Sequence, residues 1–333
     1  MITKNKILVL ITIVSFTSSA QQLFYPLDHD ENAFVEMYLN DTKSNSHTSI
    51  KPYLYEDVKQ QINIDSIDST VTDTNRLYIL PSSTWAKFLR WSENKLMDED
   101  LVYINSGGLK LRANLLLGLQ TGREFYQEES FWTNTRGYWL SGQVGKKVFF
   151  ESAFYENQAK LLPYINSNAT ENFVMPGQGR YKVFKENIGA DWAFASGAVG
   201  YKANKYFTAY LGHGKNFFGD GYRSLLLSDN SFNYPYFKFE TTVWNIKYVN
   251  LWAQLNHIGF QDAADRNWTQ KYLSVHYLSW NITRKLNLSL YESISWLKAD
   301  KGFDWQYANP VIFMRPVEWQ NGSADNVLLG SSF

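Results

Sequence analysis

From Gly107 onward, apolar and polar residues alternate along the chain with a period of two. Between residues 286 and 291, for example, three leucines alternate with Asn, Ser and Tyr. This period places successive side chains on opposite faces of a β-strand, so each such stretch predicts a strand with two different faces. The predicted strands are 108–119, 136–145, 147–157, 188–201, 205–214, 236–248, 251–260, 271–281 and 285–297.

The lengths of these strands and of their connections indicate the kind of sheet. Most of the predicted strands have about 10–14 residues, whereas strands of globular sheets have about five or six and strands that cross a bilayer need about 9–11. The connections alternate between short and long, as in outer-membrane barrels, and a soluble β-sandwich gives no reason for this alternation. We therefore expect an all-β protein, an antiparallel outer-membrane β-barrel over residues 107–333. The short connections are 145–147, 202–204, 249–250 and 283–284, and the long ones are about 120–135, 158–187, 215–235 and 261–270.

Residues 21–106 lack this alternation and are rich in Asp, Asn, Ser and Thr. Apolar residues at helical spacing predict a short helix within 50–64 and a better one over 83–96, where Ser83 can cap the first turn. We interpret this region as a partly helical periplasmic segment that precedes the barrel.

Residues 1–20 have the features of a secretory signal peptide. Lys4 and Lys6 form a positive region, residues 7–16 are apolar, and small residues follow up to Ala20, after which we expect cleavage. A membrane anchor is less favoured because a spanning helix needs about 20 apolar residues. The chain is therefore predicted to be exported and to reside in the outer membrane.

Composition agrees with a sheet that has one lipid-facing and one wet side. The chain holds 12 Trp, 22 Tyr and 22 Phe, yet its mean hydropathy is −0.36. Aromatic girdles at the two membrane interfaces would account for the many aromatic residues; the alternative is that these rings pack in an ordinary sheet core. Polar side chains on the wet side of the sheet would account for the low mean hydropathy. The net charge of zero argues against a nucleic-acid partner, and the absence of cysteine excludes disulfides, thiol catalysis and a lipoprotein anchor.

The segment 210–238 carries the densest candidate chemistry, with glycines, charges and tyrosines close together. Aromatic faces can stack on sugars, and cationic side chains can bind acidic sugars. An equally weighted interpretation is a folded loop that plugs the barrel, with its charges paired internally. The candidate ligand-binding residues are His213, Lys215, Asp220, Tyr222, Arg223 and Asp229.

Catalysis and metal binding have weaker support in the sequence. The five histidines show no metal-ligand spacing, so we predict no metal and no cofactor. A Ser/His/Asn hydrolase could draw on His213, His276, Ser224 and Asn256, although serine and asparagine are common in this chain, and a glycosidase would need a carboxylate pair. Neither arrangement stands out from the spacing, and we predict no catalytic residue. The candidate carboxylate pairs are Glu151 with Glu156 and Asp220 with Asp229.

Two blocks of the sequence resemble a known family. The run Gly-His-Gly-Lys-Asn-Phe-Phe-Gly-Asp-Gly-Tyr-Arg-Ser-Leu-Leu-Leu-Ser-Asp-Asn at 212–230 is similar to the capsule assembly Wzi family, above all to its Bacteroidetes branch of gliding-motility RemB-like proteins. A second block spans 309–318 and 323–329. The resemblance covers roughly residues 80–333. It implies an outer-membrane barrel with helices at its periplasmic mouth, a lectin-like role in attaching capsular polysaccharide or a role in gliding, and no catalytic residues.

The predicted strand count leaves one inconsistency. Nine strands would end on the outside at residue 298, whereas bacterial single-chain barrels normally have an even number. Residues 298–333 show no clear alternation, and Gly330, Ser331 and Ser332 do not resemble a final strand. We therefore expect that the barrel is incomplete in this chain or that a strand has been missed.

Taken together, these features predict an outer-membrane β-barrel that binds or organises surface or capsular polysaccharide and is linked to gliding motility. The expected partners are that polysaccharide, outer-membrane lipid and the barrel-insertion machinery. A porin-like channel for small solutes is the main alternative, and an outer-membrane hydrolase is the next.

Overall fold

The computed structural model describes most of the chain from residue 100 onward and short stretches before it. The predicted signal peptide and the predicted helix over 83–96 lie outside the described residues. The described residues are 24, 27, 35–37, 39–40, 46–54, 57–58, 100–123, 129–184, 189–221, 223–261, 268–322 and 325–333.

Strands dominate the described part of the chain, and three short α-helices and one 3₁₀ helix lie in the connections. The strands are β1 Ile50–Lys51, β2 Val102–Ser106, β3 Leu109–Arg123, β4 Ser130–Val144, β5 Val148–Lys160, β6 Val174–Met175, β7 Gly179–Arg180, β8 Lys182–Phe184, β9 Gly189–Lys202, β10 Phe207–Gly214, β11 Phe217–Phe218, β12 Tyr234–Val243, β13 Ile246–Gln261, β14 Trp268–Thr283, β15 Leu286–Leu297 and β16 Asn326–Ser332. The helices are α1 Pro163–Asn172, α2 Lys298–Lys301, the 3₁₀ helix Trp305–Ala308 and α3 Met314–Asn321.

Twelve strands form one antiparallel sheet in which neighbours in the chain are mostly neighbours in space. Its order is β16-β15-β14-β13-β12-β10-β9-β5-β4-β3-β2, and β8 also pairs with β9. All nine strands predicted from the alternating pattern are present, as β3, β4, β5, β9, β10, β12, β13, β14 and β15. The all-β, antiparallel class is therefore confirmed. In the described residues the path of the sheet ends at β2 and at β16.

Two strands of this path were not predicted. Strand β2 pairs with β3 across a turn at Gly107 and Gly108, whose φ angles of 59° and 82° favour glycine. The sheet thus begins before residue 107. Strand β16 pairs with β15 over Asn326–Ser332, so the expectation that the last residues form no strand is wrong. Gly330 on the inner side of β16 lies close to the plug, since a Cβ there would lie 2.4 Å from Leu226 Cδ2 and the leucine side chain would have to shift.

One predicted turn is also wrong. The connection expected at 249–250 lies instead at Trp244 and Asn245, where Trp244 has a φ of 55° and Val243 pairs with Ile246. Asn250, which we had interpreted as a turn residue, is mid-strand and only 1% exposed. The other short connections, near 145–147, 202–204 and 283–284, are confirmed.

The two faces of the sheet differ in chemistry. We call the face that carries Tyr210, Lys238 and Tyr277 the inner face, and the opposite face the outer face; side chains alternate between them along each strand. Much of the outer face is apolar and exposed. Its exposed residues include Leu115, Leu117, Leu119, Val199, Leu211, Phe237 and Leu290.

The inner face is covered by the chain itself. Phe24 and Ile50 pack on it near Tyr210. The connection between β5 and β9, which contains α1, packs against Trp192. Most of the buried packing of the sheet therefore lies on the inner face. The outer face, although apolar, is largely exposed.

In the described part of the chain, none of the helices has both the length and the apolar content needed to span a membrane.

Candidate functional site

The connection between β10 and β12 folds back onto the inner face and meets the amino-terminal segment there. We call residues 46–54 together with 215–221 and 223–233 the inner plug. In it, β1 and β11 form a small antiparallel sheet in which Ile50 pairs with Phe218. The backbone N–H of Gly219 donates to the carbonyl of Ser49 at 2.9 Å. Two parts of the chain about 170 residues apart are thus held together by backbone hydrogen bonds.

Local sequence explains the shape of the loop. The Ser224 hydroxyl donates to the carbonyl of Phe218 and accepts from the backbone N–H groups of Leu226, at 2.9 Å, and Leu227, at 3.3 Å, a local turn that serine favours. Gly219 has a φ of 131°, which L side chains rarely adopt. The glycines and serines of the sequence therefore fold this loop inward.

Aromatic rings form the centre of the inner plug. Phe218 is fully buried and stacks on Tyr277, with ring centroids 5.0 Å apart. Phe24 packs on Tyr210 with a centroid distance of 5.8 Å. These rings and Tyr291 cover the inner face over β10, β14 and β15.

A buried ionic group lies on the inner face toward the short turns. Lys238 and Lys247 both contact the Glu240 carboxylate, at 3.1 and 2.8 Å, and the Lys238 ammonium lies 4.5 Å from the Tyr210 ring centre. Two lysine side chains share one carboxylate here. A positive charge on a neighbouring group would lie beside the Lys247 ammonium, which is unfavourable.

His47 of the inner plug faces this ionic group. Its Nδ1 lies 2.9 Å from Ser279 Oγ, and the adjacent carbonyl of Ser46 accepts a hydrogen bond from the Asn281 side chain at 3.1 Å. Burial, and then the charge of Lys247, lower the pKa of His47 to about 4, although Glu240 acts in the opposite direction. His47 is therefore neutral at pH 7.

A second charged group lies at the other end of the inner plug, around Lys51. Lys51 forms an ion pair with Glu36 and lies 4.9 Å from the Phe217 ring centre. Burial lowers the Lys51 pKa, and the carboxylates of Asp220 and Asp229 oppose that shift. Both carboxylates therefore act on one partly buried cation, which ties the loop to the amino-terminal segment.

Tyr53 extends this second charged group. Its hydroxyl oxygen lies 2.6 Å from the carbonyl of Thr48 and 3.0 Å from Glu36 Oε1, so its one proton is directed at these two acceptors. Burial, and then the charge of Asp220, raise the Tyr53 pKa well above its usual range. The phenol therefore stays protonated and keeps residues 48–53 in a fixed conformation.

The structure distributes the predicted ligand-binding residues over several surroundings. His213 is exposed on the outer face, and Lys215 donates to the carbonyl of Gly177 at 2.5 Å. Asp220 accepts from Ser332 Oγ at 2.9 Å, Asp229 lies 3.3 Å from Ser228 Oγ, and Arg223 is exposed. Tyr222 lies outside the described residues. Asp220 and Asp229 share one influence, because the charges of both act on the Lys51 ammonium.

Two of the arrangements considered for catalysis, the Ser/His/Asn set and the Glu151–Glu156 pair, are not assembled among the described residues. The Ser224 hydroxyl is bonded within its own loop, whereas His213 lies on the outer face. Glu151 is on the inner face, and Glu156 pairs with Arg136 on the outer face, so these carboxylates are separated by the sheet. Among the residues that the structure describes, no group of three His, Cys, Asp or Glu could hold a metal ion.

Comparison of the chain with protein-family models, with curated proteins and with solved structures finds no match.

Sequence reasoning missed most partners of the inner plug. Lys51, Glu36 and Phe24 lie in the amino-terminal region, which has no alternating pattern to show that it packs on the sheet. One signal was available for the ionic group. In β12 the phenylalanines 237 and 239 alternate with Lys238 and Glu240, which indicates charged side chains on the face opposite the apolar one.

Proposed function

We propose that this protein is an exported outer-membrane β-barrel protein that binds or organises surface polysaccharide and does not act as an enzyme. The observation that carries the proposal is the chemistry of the sheet. Its outer face exposes a broad set of Leu, Val and Phe side chains, whereas its inner face holds Lys238, Glu240 and Lys247. Lipid outside and polar groups inside are the arrangement of a transmembrane barrel.

The magnitude of the exposed apolar surface supports this proposal. Leu115, Leu117 and Leu119 follow each other on the outer face of β3 and are 59%, 50% and 66% exposed. Fully burying one such side chain is favourable by about 1.5–3 kcal/mol. A contiguous stripe of this kind on a protein surface marks an interaction site, and a long strand with alternating polarity makes lipid the best-fitting partner.

The proposed role in polysaccharide binding rests on the loop end of the sheet. The long connections 161–188 and 215–233 lie at that end, and the second carries exposed Arg223 and Asp220 above an ordered base of aromatic rings. Cationic and hydrogen-bonding side chains on a rigid base suit acidic sugars. The packing of Phe218 and Tyr277 across the inner face favours a binding protein over an open channel.

Deletion of the gene tests this function. We expect the amount of cell-bound polysaccharide to fall while the amount released into the medium stays the same or rises, because synthesis and export would continue. Unchanged retention of polysaccharide together with reduced uptake of a small solute would overturn the proposal in favour of a channel.

A pair of arginine variants tests the loop itself. Arg223→Gln removes a cation at the loop end, and Arg284→Gln removes one from the turn between β14 and β15 at the opposite rim; both arginines are exposed. We expect only Arg223→Gln to reduce retention of an acidic polysaccharide. Equal effects of the two variants would contradict a binding role for this loop.

A further inference from the structure

One part of the outer face departs from its apolar pattern. On β13, β14 and β15, the outer-face positions include Asn250, His276 and Glu292, which are 1%, 7% and 6% exposed. His276 Nδ1 lies 3.6 Å from Glu292. Groups of this kind are costly next to hydrocarbon unless they are covered and hydrogen-bonded.

The connection between β15 and β16 covers this polar patch. We call residues 298–322, which hold α2, the 3₁₀ helix and α3, the strap. The carbonyl of Tyr307 accepts from Ser274 Oγ at 2.7 Å and from Trp252 Nε1 at 3.2 Å. The backbone N–H of Arg315 donates to Glu292 at 2.9 Å. The strap thus supplies backbone partners to polar groups of three neighbouring strands.

The underside of the strap is a small hydrophobic core of its own. Tyr307 and Met314 are fully buried, and they pack against Ile294 and Trp296 of β15. The Trp296 and Tyr307 ring centroids are 5.1 Å apart. The strap is therefore fixed on the outer face by side chains as well as by hydrogen bonds.

The other side of the strap is apolar and faces away from the protein. Trp305, Val311, Phe313 and Trp319 are 80%, 85%, 67% and 76% exposed. Trp305 has an edge contact with Phe303 at a centroid distance of 5.2 Å, but most of the surface of all four side chains stays outside the core beneath. Trp at an exposed, amphipathic surface is typical of the membrane interface.

We propose that the strap is an interfacial membrane anchor, whose exposed side inserts at the boundary between lipid headgroups and acyl chains. This inference rests on the proposed membrane location of the sheet. The exposed apolar surface is continuous with the outer face on both sides. Phe237 stacks on Trp252 beside the strap at a centroid distance of 5.6 Å, and Leu329 of β16, which is 55% exposed, lies opposite Glu292.

The charges of the strap fit the same partner. The Arg315 guanidinium lies 5.6 Å from the Trp319 ring centre and pairs with Glu318. A long cationic side chain beside an interfacial Trp can direct its charge to lipid headgroups while its stem and the ring stay in the apolar region. The strap therefore continues the lipid-facing surface over a patch that could not itself face lipid.

Single-cysteine labelling tests this inference, because the chain has no cysteine of its own. An environment-sensitive fluorophore is attached to Val311→Cys in the full-length chain in phosphatidylcholine vesicles. Leu117→Cys on the outer face and Lys146→Cys in the turn after β4 are the matched controls. Quenching is measured with iodide in the water and with spin-labelled lipids that carry the quencher near the headgroup or deep in the chain.

We expect the Val311 label to be quenched several-fold more strongly by the shallow lipid quencher than by iodide. The Lys146 label should respond mainly to iodide, and the Leu117 label mainly to the deeper lipid quencher. Phe313→Cys provides a second reading of the strap if Val311→Cys folds poorly.

Three results would count against parts of this account, and they can be told apart. If Val311 and Phe313 labels are quenched by iodide like the Lys146 label while Leu117 remains in lipid, the anchor is wrong and the membrane location stands. If the Leu117 label also responds to iodide, the proposed membrane location is wrong. If the strap labels become shielded only after an acidic polysaccharide is added, the strap is a glycan-binding surface and the anchor is wrong.

Discussion

Acidification should loosen the inner plug through His47. In the folded state the His47 pKa is about 4, because the ring is buried beside Lys247 and the ionic group around Glu240. When residues 46–54 detach, the pKa returns to about 6.5. The detached state therefore binds more protons between these two values, so the stability of the plug is full above about pH 6.5 and falls as pH falls toward 4.

The size of the effect follows from the two pKa values. Between pH 7 and pH 5, linkage predicts a loss of about 2 kcal/mol in the free energy of detachment, and about 3 kcal/mol by pH 4. Hydrogen exchange of the backbone amides of residues 46–54, corrected for the intrinsic effect of pH, measures this free energy. His47→Gln is the control, since Gln can keep a hydrogen bond to Ser279 but does not titrate.

We expect the wild-type protein to lose protection on acidification and His47→Gln to lose much less. If both proteins show the same pH dependence between pH 7 and pH 5, then His47 does not control the plug and the reasoning is refuted. Greater protection of the wild-type segment at pH 5 would refute it as well, because the sign would be reversed.

Two further predictions concern the sheet. Gly137→Ala should lower the free energy of unfolding by several kcal/mol, because the new Cβ would lie 1.9 Å from the carbonyl oxygen of Phe154. In the control variant Gly118→Ala the new Cβ meets its nearest atom at 3.4 Å, so the free energy of unfolding should change little. Denaturant unfolding in detergent compares the two variants, and equal stabilities would contradict the close packing of β4 on β5. Glu240→Gln should destabilise by about 3–5 kcal/mol because it leaves the buried Lys238 and Lys247 side chains without their carboxylate. Glu156→Gln on the exposed outer face should have little effect, because its ion pair with Arg136 is solvent-exposed. A mild effect of Glu240→Gln would mean that water reaches the ionic group.

Much of the sheet could be predicted because alternation records which side of a strand is apolar. The alternation of apolar and polar residues did not predict the structure where another segment of the chain packs on one face of a strand. Asn250 looked like a turn residue, yet it lies within β13 as a polar group of the outer face that is only 1% exposed. Strand β16 was missed because Gly330, Ser331 and Ser332 interrupt its alternation, and Gly330 lies beside Leu226, a residue of the plug distant in sequence. Such contacts leave no periodic pattern in the strand itself.

The candidate site was predictable only in outline. A folded loop with internally paired charges was one of two interpretations of the glycines and charges in 215–233; in the structure the loop packs on the inner face, and Lys215 and Asp220 bond to residues outside it. The sequence could not indicate that Asp220 and Asp229 act on Lys51, because that contact joins segments about 170 residues apart. His213 was grouped with them by proximity in sequence, although its position on β10 turns it to the outer face.

The central claim is that the outer face of the sheet lies in lipid, and the accessibility of successive residues along β3 tests it most directly. Spin labels placed one at a time at residues 115 to 119 are measured in outer-membrane vesicles with oxygen, which partitions into lipid, and with a water-soluble nickel chelate. We predict that positions 115, 117 and 119 favour oxygen and that positions 116 and 118 do not, with a period of two. Equal access of the nickel chelate to positions 115, 117 and 119, as on a sheet in water, would contradict the account.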